Sequence, residues 1–166
     1  GTDLRIDDGR FDAREGVTLG HEICGTVTEV GAGVHSLRRG DKSVVNPQGH
    51  CNTCRYCIRG KPNYCSTGGL RGTIGVRRDG GWADYCDVPA QQCFKVPEGM
   101  SAKVAVLCEP LSCVLNGYRR MGNIPHDSRI LIIGGGYVGM LWAIMLDYFG
   151  YRHLTIWEQS DNKKQL

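Results

Sequence analysis

The sequence predicts a small β-rich domain followed by the first part of an α/β domain, and three observations carry that prediction. Short segments rich in β-branched residues, punctuated by glycine and proline, fill the first hundred residues. Helical periodicity then sets in after Ser101, with Val104, Leu107, Leu111, Val114, Leu115 and Tyr118 recurring on one face. Finally, the apolar run Arg129–Ile133 leads into a glycine-rich turn, a helical pattern and a second apolar strand, which together spell one βαβ unit.

The elements follow in order. Residues 22–30 alternate and end on Gly31-Ala32-Gly33, a strand and turn signal. Further strands are expected over 42–45, 82–88 and 93–96, bounded by Gly40, Pro47, Gly80-Gly81, Pro89 and Pro97. Residues 49–81 carry many Gly, Arg and Cys with no period, which describes a loop lobe. Ser101 is a plausible N-cap for a helix over 102–120, and a connector over 122–127 precedes the strand at 129–133. A helix over 138–149 stops at Gly150, and 153–158 reads as the second strand of the βαβ unit. The expected division is therefore a domain over 1–100, holding a metal lobe at 49–66, and a linking helix with the βαβ unit over 101–166.

Composition narrows the functional classes. The chain has 166 residues, 41% hydrophobic and 22% charged, as in a soluble globular protein with a real core. The net charge of +3 comes from scattered Lys and Arg, with no basic stripe for nucleic acid and no charged tail. No apolar run approaches bilayer length. The chain opens on Gly1 without a leader-like pattern, so an internal piece of a longer protein is expected. Nine cysteines are many, but the number is odd and four cluster. The other five (Cys24, Cys86, Cys93, Cys108, Cys113) lie among apolar neighbours, which suits the cytoplasm or the mitochondrial matrix.

Cys51, Cys54, Cys57 and Cys65 are spaced C-x2-C-x2-C-x7-C. Zinc takes four thiolates in a tetrahedron, and two-residue gaps let tight turns aim neighbouring sulfurs at one ion. A closed set leaves no open position, so the zinc would be structural and would hold together a lobe with little apolar core. An iron–sulfur cluster also uses C-x2-C-x2-C, with the next cysteine closer and before proline, whereas Cys65 precedes Ser66. A disulfide set would need an oxidising compartment.

Gly134, Gly136 and Gly139 fit G-x-G-x-x-G, with Tyr137 and Val138 between them, and Glu158 ends the next strand. One glycine permits the tight turn, one lets backbone N–H groups reach a pyrophosphate, and one permits close helix–strand packing. The helix N-terminus then favours phosphate charge. Glu158 would accept hydrogen bonds from the adenosine ribose and repel a 2′-phosphate, favouring NAD. Lys163 could also touch that ribose, although a solvated surface lysine is its ordinary role. A glycine-rich turn that binds nothing is the plainer alternative.

Gly20-His21-Glu22 before a strand, the four-cysteine lobe, Glu109-Pro110-Leu111 on a helix and then the glycine-rich turn occur in an order that resembles the zinc-dependent medium-chain alcohol and polyol dehydrogenases. The Glu-Pro-Leu element is most similar to the sorbitol and threonine dehydrogenase branch. The resemblance runs over essentially the whole chain. It implies a GroES-like domain followed by the first part of a Rossmann domain, and a homo-oligomeric parent. It also implies that a catalytic zinc is held by His21 and Glu109 together with a cysteine, with Glu22 close by. In the family the sequence Cys-Gly-Ser/Thr-Asp supplies that cysteine, and here the chain begins Gly1-Thr2-Asp3. Thr2 would be the hydroxyl that takes the alcohol proton, and Asp3 a partner of the zinc ligands. Arg5 stands where relatives commonly carry a relay histidine, and a guanidinium cannot act as a base near neutral pH.

The expected activity is oxidation of a small secondary alcohol or polyol to a ketone with NAD, with weak turnover by these 166 residues alone. Two other classes remain open at this point: a non-catalytic zinc- and nucleotide-binding module, and an electron-transfer protein with an iron–sulfur cluster.

Overall fold

The computed structural model describes residues 1–160 and separates into two compact units, the first ending at Glu109 and the second beginning at Pro110. The first unit opens with helix α1, Thr2–Asp7, a segment whose polar residues alone gave no reason to expect more than a frayed end. Three short antiparallel strands then form its sheet in the order β1 (Cys24–Thr26), β2 (Lys42–Val45), β3 (Cys93–Lys95). Cys24 faces Val44 and Val44 faces Phe94, so β2 is central and both neighbours are edges.

The sheet's inward side and the segments beneath it bury Leu37, Val45, Ile74, Val76, Val96 and Ala105. Asp41 is buried among them at the start of β2. Its carboxylate is 2.7 Å from Lys95 Nζ and accepts from Arg38 N. The Lys95 contact and the Arg38 amide hold this carboxyl below the usual carboxylate range. A carboxyl depressed in the fold contributes stability above its unfolded pKa of about 3.9, and that contribution is lost as pH falls through the folded value. Asp41→Asn is therefore expected to lower the melting temperature at pH 7 and to flatten the acid limb of the stability–pH curve below about pH 4, as followed by circular dichroism.

Three sequence expectations are corrected here. The strand over 22–30 contracts to β1, because beyond Thr26 only Val27 continues the ladder, through Val27 N to Asp41 O and Gly40 N to Val27 O. No strand forms over 82–88: Gly80, Gly81 and Trp82 donate instead to Thr18, Gly20 and Leu19, an irregular pairing set by the two glycines. The helix over 102–120 is broken into α3 (Ala102–Ala105) and α4 (Cys108–Arg120). Ser101 caps α3 by accepting from Val104 N at 3.3 Å. Pro110 explains the break, since its ring would meet the carbonyl of Val106 in a continuous helix and it has no N–H to donate. Proline is tolerated only in the first turn, where α4 places it.

The second unit holds β4 (Arg129–Ile133), α5 (Tyr137–Tyr148) and β5 (His153–Trp157), with β4 and β5 parallel and Arg129 opposite His153. The remainder of α4 packs Val114 against Leu141 and Met145 of α5, with Leu111, Leu115, Tyr118, Trp142 and Phe149 around them. Tyr151 is buried at the base of β5. Its hydroxyl donates to Ile124 O and stands 3.0 Å from the Tyr118 hydroxyl. The apolar run of β4 was expected to be buried as in a full parallel sheet. In this chain Leu131 is 59% and Ile133 74% exposed, because two strands and one flanking helix cover only part of the sheet. Among the described residues no helix is long and apolar enough to cross a membrane.

Candidate functional site

The four-cysteine lobe is built from short turns. Asn52 adopts a left-handed φ of 63°, a conformation its short polar side chain tolerates, and so turns the chain between Cys51 and Cys54. Helix α2 (Arg55–Ile58) carries Cys57, and a 3₁₀ turn at Pro62–Tyr64 delivers Cys65. The four sulfurs all lie within 4.8 Å of one another. Cys51 Sγ accepts from Cys54 N at 3.3 Å and Cys65 Sγ from Gly68 N at 3.2 Å. The Thr53 hydroxyl and nearby amides hold the Cys51 thiol down to about 5, and backbone N–H groups hold Cys54 down to about 7. Burial and the neighbouring Cys54 push Cys57 up to about 11. Sulfurs this close cannot all ionise without a cation between them, so the donor set fits a thiophilic divalent metal. The lobe has little else to hold it: Ile58 and Leu70 are 73% and 68% exposed.

The second convergence brings residues from far apart in the chain. His21, Glu22 and Glu109 each offer a ligand atom within 4.8 Å of the others. Glu109 comes from the first turn of α4, and its exposed neighbour Cys108 is not in the group. Burial raises the Glu109 carboxyl above the usual range; His21 opposes that rise, whereas Glu22 and Asp3 add to it. A cation would reverse the burial penalty.

His21 Nδ1 is buried and has no hydrogen-bond partner; it lies 3.5 Å from Asp3 Oδ1, within ion-pair range. The same Asp3 oxygen accepts from Gly20 N at 3.1 Å, which ties the first turn of α1 to the residue before His21. A metal-bound imidazole ordinarily directs its other ring nitrogen at a carboxylate, so this orphaned atom fits a metal at the opposite nitrogen. Thr2 is half-buried at the start of α1, and Arg5 is exposed one turn later.

Sequence reasoning missed the backbone junction that fixes His21. Gly20 has φ of 94°, and a Cβ added to Gly75 or Gly80 would overlap the Gly20 carbonyl oxygen. The chain segments can approach this closely only because all three positions lack a side chain. The sequence signal was the glycines at 75, 80 and 81, of which Gly80-Gly81 read only as a strand boundary.

In the second unit, Gly134 (φ 101°) starts the glycine-rich turn and Gly136 caps α5, which opens on the half-exposed Tyr137 and Val138. A Cβ on Gly139 would overlap Gly134 O. Glu158 Oε2 accepts from Gly135 N and Oε1 from Ser160 N, both at 2.8 Å, so the carboxylate lies against the turn itself. Lys163 falls outside the described residues.

The first unit thus carries a short antiparallel sheet with a four-cysteine lobe and a His–Glu cluster, and the second a glycine-rich turn between a strand and a helix. Residues 1–98 match the alcohol dehydrogenase GroES-like domain, and the chain belongs to the zinc-dependent medium-chain dehydrogenases. It is 34% identical over 164 residues to D-altritol 5-dehydrogenase of Agrobacterium fabrum, covering 96% of this chain and 46% of that protein. Among solved structures it resembles a protein of Sinorhizobium meliloti 1021 solved as a zinc-binding dehydrogenase with NADP bound. That likeness has a TM-score of 0.89 at 33% identity, over 99% of this chain and 47% of the other. It also resembles an alcohol dehydrogenase of Escherichia coli CFT073 complexed with NADH, with a TM-score of 0.84 at 30% identity, over 99% and 48%. The chain spans less than half the length of the curated relatives it matches.

Proposed function

We propose that the whole protein oxidises a secondary alcohol or polyol to a ketone, passing hydride to NAD, and that His21 and Glu109 hold the catalytic zinc. The convergence of His21, Glu22 and Glu109 within 4.8 Å, with Asp3 behind the imidazole, carries this proposal. The relative named for D-altritol supports the polyol class. Bound zinc supplies Lewis acidity that lowers the alcohol's pKa, and bound nicotinamide supplies the hydride acceptor.

The chain's own residues do the rest. Asp3 fixes the imidazole so that Nε2 faces the metal position while Nδ1 faces the carboxylate. Thr2 takes the alcohol proton through its hydroxyl. Arg5 cannot receive that proton, so the relay ends in water or in another group. Glu22 stands close enough to exchange with a metal ligand during turnover. In the second unit the turn at Gly134, Gly136 and Gly139, with Tyr137 and Val138, receives the pyrophosphate: Gly134 turns the chain, Gly139 lets helix and turn pack closely, and N–H groups at the start of α5 face the phosphate. Glu158 receives the adenosine ribose, and its negative charge favours NAD over NADP. The thiolates of Cys51, Cys54, Cys57 and Cys65 hold a separate structural zinc.

Metal analysis tests the assignment. Two zinc ions per chain are expected, falling to one in His21→Ala with the lobe intact, together with metal-dependent oxidation of a polyol panel by the whole protein. A zinc content of one in the unaltered protein, insensitive to His21→Ala, would favour a non-catalytic zinc- and nucleotide-binding module. For the nucleotide, Glu158→Gln is expected to weaken NADH binding and to narrow the preference over NADPH, read by nicotinamide fluorescence.

A further inference from the structure

We propose that the cysteine lobe is also a thiol switch, in which Cys54 and Cys57 close a disulfide under a hydroperoxide and the lobe gives up its metal. The proposal rests on the zinc assignment of the lobe made above.

The geometry singles out one pair. Cys54 Sγ and Cys57 Sγ are 3.5 Å apart, closer than the 4.0 Å between Cys51 and Cys57. Cys54 immediately precedes α2 and Cys57 lies three residues on, so both sulfurs share one face of that turn. Closing a bond of about 2.05 Å asks for a sulfur shift of about 1.5 Å. The surroundings can yield that much, because Ile58, next to Cys57, is largely exposed to solvent. Accessibility sets Cys65 apart as buried, while Cys51, Cys54 and Cys57 are all half-buried, so the sulfur separation selects the pair.

The step balances with hydrogen peroxide as oxidant. One thiolate attacks the peroxide and becomes a sulfenic acid; the O–O bond breaks, and the departing hydroxide takes a proton from solvent and leaves as water. The second thiolate attacks the sulfenic sulfur; the S–S bond forms, the S–O bond breaks, and a second hydroxide leaves as water with a proton from solvent. The two thiolates lose two electrons to the peroxide, and solvent supplies the two protons. Cys51 and Cys65 then remain, and two sulfurs do not complete the four-ligand set that a structural zinc requires. A lobe with so little apolar packing loses its order with the metal.

The test uses the zinc-loaded His21→Ala chain, so that only lobe metal is counted. Hydrogen peroxide is added in the presence of a chromogenic zinc chelator, and samples are mapped by mass spectrometry. Release of the lobe's zinc is expected in step with loss of two hydrogens from the peptide carrying Cys54 and Cys57, reversed by dithiothreitol and added zinc. Retention of zinc after the exposed Cys108 and Cys113 have been oxidised overturns the switch while leaving the zinc site standing. A Cys51–Cys57 or intermolecular disulfide overturns it as well. A chain that holds no lobe zinc before peroxide is added defeats the zinc assignment itself.

Discussion

Gly139→Ala is expected to destabilise the second unit by about 1–3 kcal/mol or more and to abolish nucleotide binding. Helix propensity alone predicts the opposite sign, because alanine inside an exposed helix is better than glycine by up to about 1 kcal/mol. The contact decides the outcome. A Cβ on Gly139 would overlap the Gly134 carbonyl oxygen, a backbone atom at the mouth of the turn that cannot swing aside. The accommodation has to come from moving the start of α5 away from the turn and from β4, whose Ile132 side chain also lies beside the added Cβ. Gly117→Ala is the comparator. Its Cβ would come 2.9 Å from Trp142 Cζ2, a ring that can shift, so a smaller loss and intact nucleotide binding are expected. Chemical denaturation and NADH fluorescence on both variants check the pair. Equal stability of Gly139→Ala and the parent would show that the turn is not held as described.

Cys65→Ser is expected to remove one zinc per chain and to unfold the lobe while β1, β2 and β3 persist. Metal binding in small thiolate sites is worth about 10–16 kcal/mol at pH 7, and it doubles as folding free energy where no core exists. The lobe fits that case, since its larger apolar side chains face solvent and the buried Cys65 sulfur is its innermost ligand. Serine offers a poor, protonated oxygen in place of a thiolate. Zinc titration should register the loss, and amide exchange should accelerate through residues 51–68 with little change in the strands. Cys113→Ser, on the exposed side of α4, should leave the zinc count unchanged. Unaltered metal content in Cys65→Ser would remove this cysteine from the ligand set.

How much of this was legible beforehand depended on the range of the contacts. The lobe was readable because its ligands are local: two-residue gaps and a short loop force the sulfurs together wherever the rest of the chain goes. The βαβ unit was readable for a similar reason, since a buried strand, a glycine turn and a helix are adjacent in sequence and their periods differ. No strand forms over 82–88, because a short segment bounded by glycine and proline still needs a neighbouring strand to pair with. Gly80 and Gly81 instead commit that backbone to the segment before His21. The break in the helix follows from Pro110, whose ring and missing N–H interrupt a helix that the apolar period alone would carry through.

By itself, the sequence determined the four-cysteine lobe, the glycine-rich turn and the succession of a β-rich and an α/β unit, because each follows from residue chemistry at short spacing. Only the tertiary structure decided how Glu109 is delivered to His21: the helix breaks between Ala105 and Cys108, and the first turn of α4 then carries Glu109 to the place the family resemblance implied. It also decided that Asp3 stands behind the imidazole and that Gly20, Gly75 and Gly80 close around the same point. These are contacts between segments many residues apart, and the physics that selects them, close packing of backbone on backbone, leaves no local pattern in the chain.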